Sequence, residues 1–351
     1  MTKNTMNYII ISRYLDMIMD EIEPDRALGY FKALSDQTRL RLLNILRFKE
    51  FNVQELMGIL DMGQSRISRH LKLLQDGGLI ESRRNGMWSF YRAIDRDPGR
   101  RFTDSICYLF EEHPIYRHDL DAAAACLRTG RLRSRHFFDS VASNWESMKR
   151  SVIGELDLVG EIAKFIPPAQ SAADLGCGSG TLLERIAGKM GTVIGVDSSR
   201  EMLAEAAKRL GPKAELVDLR VGELEHLPLG DGETEVAIIN LVLHHLRNPR
   251  QGLLEARRIL RKGGTLVVAD FDRHEQEMMR SRYGDHWLGF SPEEVESWLE
   301  DAGFHIDGPH HYPVLNDLEV LVYTASKQEQ TYPLIEAAGP YGKSRTIQDD
   351  K

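Results

Sequence analysis

The stretch ADLGCGSGT, residues 173–181, begins inside the short apolar run Ala172–Leu175 and leads directly into a helical pattern over Thr181–Lys189. Its alternating glycines Gly176, Gly178 and Gly180 let a ligand approach the backbone closely. The spacing is not the phosphate-binding GxGxxG, so the loop gains its meaning from the elements downstream of it. A second apolar strand, Thr192–Val196, ends in Asp197. An acidic residue at that point, about 20 residues after the first strand, can accept hydrogen bonds from both hydroxyls of a ribose. The helix Arg200–Leu210 comes next, then strands near Ala214–Val217, Val236–Asn240 and Thr265–Ala269, with a helix over 249–260. A helix over Ser291–Ala302 and antiparallel strands Phe304–Ile306 and Glu319–Ala325 close the series. This alternation predicts a doubly wound α/β sheet whose ligand sits beyond the carboxyl ends of the strands.

The whole chain has 351 residues, room for two ordinary domains. Apolar content of 42% and charged content of 28% are those of a soluble globular protein. The early apolar run Tyr8–Ile11 is too short for a membrane span and lacks a cleavage pattern, so a cytoplasmic protein is expected. Cys107, Cys126 and Cys177 form no CxxC pair, which fits a reducing compartment and argues against structural zinc. The net charge of −8 is uneven: residues 64–92 hold six basic side chains against two acidic ones. A basic concentration on one short segment is what phosphate binding requires.

That segment has its own architecture. In residues 26–47, Leu34, Leu40, Leu43, Ile45 and Leu46 recur at helical spacing, with Ser35 or Asp36 placed to cap a helix. Asn52 can cap a short helix ending at Ile59, Gly63 breaks it, and a second helix runs from Gln64 to Gln75. Ile67, Leu71 and Leu74 point inward on that second helix. Its outward side chains, Gln64, Ser65, Arg66, Ser68, Arg69 and Lys72, suit base edges and phosphates in a DNA major groove. Strands over Leu79–Arg83 and Trp88–Ala93 flank the hairpin signal Asn85-Gly86, and Arg83, Arg84 and Arg92 make a basic wing.

With "LSDQTRLRLLNIL" and "SRISRHLKLLQDGGLI", residues 25–95 resemble the ArsR-type winged-helix repressors. The resemblance implies double-stranded operator DNA as partner and a homodimer built on flanking helices, here residues 5–22 and 102–127. The family's metal-sensing cysteines have no counterpart in "VQELMGIL", and Asp104, His113, His118 and Asp119 put no His pair on one helical face. No metal is expected.

The second half, with "LHHL…RRILRKGG", resembles class I S-adenosylmethionine-dependent methyltransferases over about residues 137–325. The resemblance implies S-adenosylmethionine or S-adenosylhomocysteine as ligand. Asp174 and Gly176, with Gly178 in the same loop, would line its methionine end. Asp197 would take the ribose, and Ser198 and Met202 would flank the adenine. Gly222, Glu223 and Leu224 would meet the adenine edge, and Asn240 would lie beside the sulfonium.

The expected fold is therefore an α+β winged helix-turn-helix domain (1–128) followed by an α/β Rossmann-like class I methyltransferase domain (169–326). A linker with cap helices (129–168) begins at the polar break Gly130-"RLRSR", and a disordered tail covers 327–351. The cap "HFFDSVASNWESMKR" places Phe138, Val141 and Trp145 on one stripe, as cofactor cover or as packing.

Methyl transfer to a good nucleophile needs mainly alignment. Candidates near the methyl are His244, His245, Asp270, His274, Tyr283, Asp285, His286 and Trp287. A DNA methyltransferase is excluded, because "NLVL" stands where the base-stacking Asp/Asn-Pro-Pro-Tyr run belongs. Arsenite methylation is disfavoured, since only Cys177 lies in the domain. Two functions remain: a transcriptional regulator that senses the adenosyl ligand, favoured because the DNA reader lacks its metal cysteines, or an active small-molecule methyltransferase with an autoregulatory DNA-binding domain and a small-molecule methyl acceptor.

Overall fold

The computed structural model describes residues 23–328. The expected helix over 5–22 and the tail beyond 328 lie outside the described residues.

Helices Pro24–Leu34 (α1) and Gln37–Leu46 (α2) meet at Asp36, whose carboxylate accepts hydrogen bonds from the backbone N–H groups of Thr38 and Arg39. After the two-residue strand Phe51–Asn52 (β1), helix Val53–Leu60 (α3) starts with a capping box in which Asn52 and Glu55 satisfy each other's backbone donors. Helix Gln64–Asp76 (α4) follows the turn and buries Ile67, Leu71 and Leu74 completely. Ile80–Asn85 (β2) and Trp88–Ala93 (β3) form the hairpin, with Gly86 at φ +55° and β1 pairing on the outer side of β3. The helix-turn-helix and wing expected from sequence are thus in place, and one apolar cluster holds them together.

Helix Gly99–Tyr108 (α5) precedes Pro114–Val141 (α6), which has 28 residues and starts at its proline. At 1.5 Å per residue it is about 42 Å long. No break occurs at Gly130, where the domain boundary was expected. A helical glycine costs only about 1 kcal/mol relative to alanine, too little to end a helix packed along both halves of the molecule. The glycine serves close approach instead: a Cβ there would sit 2.0 Å from Nε of Arg247. Helices Trp145–Ile153 (α7) and Leu158–Ala163 (α8) complete the passage.

The second half is a seven-stranded sheet flanked by helices, built from Ser171–Leu175 (β4), Thr181–Ile186 (α9), Thr192–Asp197 (β5), Arg200–Leu210 (α10), Val217–Val221 (β6), Thr234–Asn240 (β7), Pro249–Ile259 (α11), Leu260–Phe271 (β8), Met278–Tyr283 (α12), Pro292–Asp301 (α13), Phe304–Pro313 (β9) and Glu319–Lys327 (β10). The order β6-β5-β4-β7-β8-β10-β9 has parallel pairs up to β8 and antiparallel pairs for β10 and β9. This is a Rossmann-like class I methyltransferase sheet following a winged helix-turn-helix domain. The strand expected near Ala214–Val217 starts later, because Gly211–Leu216 forms a 3-10 turn. No helix among the described residues is long and apolar enough to cross a membrane.

The wing is packed onto this second half. Phe90 of β3 joins the apolar cluster of the large sheet. The Asn85 side-chain oxygen accepts from Arg280 at 2.7 Å and from the Leu288 backbone N–H at 2.9 Å. The guanidinium of Arg83 lies 3.9 Å from the Trp287 ring centroid and pairs with Glu294 at 3.2 Å. The Arg83 side chain, expected as a DNA contact, is thus largely covered by the second half of the molecule. Arg92 is engaged with Glu81 at 2.6 Å, and Arg84 alone of the three wing arginines stays largely exposed.

Candidate functional site

Strands β4, β5 and β7 end side by side, so the loops after them converge, as the doubly wound topology dictates. Between these loops and helices α6 and α7 lies a cavity of about 430 Å3, within the roughly 300–1,000 Å3 usual for small-molecule sites. All ten residues expected at an adenosyl ligand line this one cavity: Asp174, Gly176, Gly178, Asp197, Ser198, Met202, Gly222, Glu223, Leu224 and Asn240.

The glycine loop is shaped by its backbone. Gly176 has φ +80°, and a Cβ on it would lie 2.5 Å from the Val242 side chain. Gly178 has φ +51° and donates its N–H to Asp197 at 2.9 Å, while Ser199 donates to the other Asp197 oxygen at 2.8 Å. Each oxygen keeps a lone pair free for a ligand donor. Burial pushes the Asp197 carboxyl upward, and those backbone N–H groups pull it back. Asp174 is more strongly affected: burial lifts it to about 7, against the pull of the Lys149 ammonium and with a further push from Asp197. Leu241, next in the wall, holds φ +57°, and the Asn240 side-chain oxygen is buried with no hydrogen-bond partner among the described residues. A strained backbone and an unpartnered buried acceptor are features that cluster at ligand-binding walls.

The candidates near the methyl divide. His244, His245, Tyr283, Asp285 and His286 line the cavity, whereas Asp270, His274 and Trp287 do not. Asp270 lies behind His244 and binds its Nδ1 at 2.6 Å. Trp287 is fully buried in the domain seam, where its indole N–H donates to Leu246 O at 2.7 Å. It is no substrate wall, because the wing covers it. Burial lowers His274 to about 4, and its Nδ1 accepts from the Gln276 backbone. Burial opposes charging His244, but Asp270 and Asp285 outweigh it and raise the group to about 9. Burial and the neighbouring His244 charge hold His245 well below the usual range. The Tyr283 hydroxyl is shared with Ser151 at 2.8 Å.

Of the cap stripe, Phe138 and Trp145 line the cavity; the sequence reading missed the polar side chains that α6 and α7 add to it. Arg131 of α6 pairs with Glu223 at 3.2 Å, Asp139 accepts from Ser199 Oγ at 2.7 Å, and Phe138 packs edge-on against His245. One helix thus touches three sides of the cavity. Lys149, beside Asp174, comes from α7. "RLRSR" reads as a polar break because its arginines face a pocket and not an apolar core. Arg247, two residues after His245, reaches Glu55 of α3 at 2.5 Å.

In the first domain, Gln64, Ser65, Arg66, Ser68, Arg69 and Lys72 are all exposed on α4. In the same half the acidic and histidine side chains of α6 have separate surroundings. Asp119 is buried in a two-bond pair with Arg41 at 2.7 Å, His113 accepts at the start of α6, and His118 is solvent-exposed.

Residues 173–268 match the model of a methyltransferase domain, and residues 36–82 match that of the bacterial regulatory proteins of the arsR family. An uncharacterized 37.1 kDa protein in a transposon of Streptomyces fradiae is 45% identical over 108 residues, covering 30% of this chain and 31% of that one. The arsenite methyltransferase of Halobacterium salinarum is 35% identical over 147 residues, 39% of this chain and 38% of that protein. The chain thus spans only about a third of the length of each of these two relatives. The arsenical resistance operon repressor of Bacillus subtilis is 33% identical over 98 residues, 27% of this chain but 93% of the repressor. With nearly all of a repressor matched by its first third and a methyltransferase domain behind it, the chain belongs to the arsR family of bacterial regulatory proteins, in a form fused to a methyltransferase domain.

Proposed function

We propose that the protein is a transcriptional regulator in which S-adenosylmethionine or S-adenosylhomocysteine, held in the methyltransferase domain, sets the affinity for operator DNA. In this reading Asp197 receives the ribose hydroxyls, and Met202 and Leu224 pack the adenine. Asp174 and Lys149 take the ammonium and carboxylate of the methionine end. Arg66, Arg69 and Lys72 of α4, with Arg84 of the wing, meet DNA, and two copies read a pseudo-palindromic site.

The observation that carries the proposal is helix α6. Its first half is fixed to the DNA-reading domain by the buried Arg41–Asp119 pair. Its second half forms the cavity wall at Glu223, Ser199 and His245. A ligand shifts a conformational balance only through different affinities for its states. An adenosyl ligand closing against α6 favours one placement of that helix, and the helix carries the placement to α2. Couplings of this kind are worth about 1–3 kcal/mol, or about 5–150-fold in affinity. Operator gel shifts with and without each ligand test it; operator affinity independent of both ligands overturns it.

The active-enzyme reading keeps two supports, the titratable wall of His244, Asp285 and His286 and the similarity of part of the chain to an arsenite methyltransferase. Arsenite is disfavoured as the acceptor in this reading, because Cys177 is the single cysteine of the domain and thiol ligands for arsenic are wanting. Release of S-adenosylhomocysteine from S-adenosylmethionine in the presence of a metabolite pool would favour the enzyme.

A further inference from the structure

Three side chains of the cavity wall have an unusual relation. His244 Nε2 lies 3.8 Å from an Asp285 oxygen, and His245 Nδ1 lies 3.6 Å from the same oxygen. These separations are too long for hydrogen bonds, which run about 2.7–3.2 Å. They are close to what one shared ion imposes. Two donors each about 2.1 Å from a tetrahedral metal stand about 3.4 Å apart. The donor atoms of all three residues lie within 4.8 Å of one another, and theirs is the one group of this kind found among the described residues.

The donors are also vacant. Both Asp285 carboxylate oxygens and His245 Nδ1 are buried with no hydrogen-bond partner among the described residues, and the Asp285 side chain is 1% exposed. A buried carboxylate with neither oxygen satisfied is costly. A divalent ion would remove that cost at a stroke.

The support around the donors is that of a ligand set. Asp270 holds His244 through Nδ1 at 2.6 Å, which leaves Nε2 to face Asp285. A carboxylate on the far nitrogen of a ligating imidazole is the usual orienting partner. The Gly284 backbone engages the His245 ring. The backbone carbonyl of His244 accepts from both His286 and Trp287 at 2.9 Å, so the two ligand-bearing loops are pinned together. Phe138 and Phe271 pack against the two rings and limit water.

We propose that His244, His245 and Asp285 form a divalent metal site in the wall of the adenosyl cavity, with Asp270 as its positioning residue. Two imidazoles and one carboxylate suit zinc, iron(II) or cobalt(II) and not magnesium or calcium, which prefer all-oxygen sets. Three protein donors leave a coordination position free, and the cavity supplies the space on that side. The expectation of no metal rested on the missing cysteines and the lack of a His pair on one helical face in the DNA-binding half, whereas this His pair lies in the other half. It stands whether the adenosyl ligand signals or reacts, so it does not rest on the effector reading.

The test is cobalt(II) titration of metal-stripped, untagged full-length protein, followed by visible ligand-field absorption and zinc competition. The account predicts saturation at one ion per chain, reversed by zinc. Asp285→Asn and His245→Gln should abolish the saturable absorption. Asp270→Asn should weaken binding about 10–100-fold. Thermal melting by circular dichroism identifies any variant that fails to fold, and the wild-type titration decides independently of the variants. Absence of stoichiometric cobalt binding by the wild type overturns the proposal, as does cobalt absorption unchanged in folded Asp285→Asn.

Discussion

Helix α4 and the wing carry the same kind of side chain, and the molecule uses them in opposite ways. On α4, Arg66, Arg69 and Lys72 project from a helix whose other face is anchored by Ile67, Leu71 and Leu74. On the wing, Arg83 is drawn between Trp287 and Glu294, and Asn85 is clasped by Arg280 and Leu288. One basic element is left free to meet a phosphate; the other ties the DNA-reading half to the ligand-holding half. Along with α6 and the Arg247–Glu55 pair, the wing makes the two halves one mechanical unit. A ligand in the cavity therefore lies within reach of three separate connections to the reader.

The largest separation between the halves should come from the cavity itself. If Asp197 holds the ribose as proposed, Asp197→Ala removes two charge-assisted hydrogen bonds, each worth about 1.5–3 kcal/mol, so S-adenosylhomocysteine affinity should fall about 100-fold or more. Operator binding by the ligand-free protein should stay as it was. Isothermal calorimetry reads the first and fluorescence anisotropy the second; loss of both together would mean that the cavity and the reader are not separable.

Acidity should act on the cavity next. Asp174, lifted by burial to about 7, must be ionised for the proposed hold on the ligand's ammonium. Affinity should therefore rise about tenfold between pH 6 and pH 8 and level off above. The ligand-free fold should lose stability over the rise from about pH 4 to pH 7, because the folded carboxyl keeps its proton to higher pH than the unfolded one. Asp174→Asn should flatten both profiles. A profile that keeps its slope in the variant assigns the titration to another group.

On the DNA side, Arg66→Ala or Arg69→Ala should weaken operator binding by about 1–3 kcal/mol and leave ligand affinity unaltered. The smallest effects distinguish the two arginines of the wing. Arg84→Ala should reduce operator affinity a few-fold, with a lower salt dependence. Arg83→Ala should leave that affinity intact and lower the melting temperature instead, by a few degrees for about 1 kcal/mol lost from the seam. A drop in operator affinity for Arg83→Ala equal to that of Arg84→Ala would restore Arg83 to the DNA face.

Most of the cavity was legible because its residues sit at strand ends, where topology alone places them. Asp174 and Asp197 lie at the ends of β4 and β5, and their neighbourhood is local in sequence. The reading helix was legible for a similar reason, since Ile67, Leu71 and Leu74 fix which side is left for DNA. The seam was not, because it depends on pairs about 200 residues apart, such as Asn85 with Leu288 and Arg83 with Glu294. Charge pattern gives no sign of which arginine will be covered. Gly130 misled for a related reason: its missing side chain reads as a break but makes room for Arg247 inside an unbroken helix.

The central claim is that the cavity and α4 communicate through α6. It is tested most directly by operator affinity of the full-length protein, measured by anisotropy with saturating S-adenosylhomocysteine, with saturating S-adenosylmethionine, and with neither. The account predicts a shift of about 5-fold or more with at least one ligand, absent in Asp197→Ala. Equal affinities in all three states, with calorimetry showing the cavity filled, would contradict it.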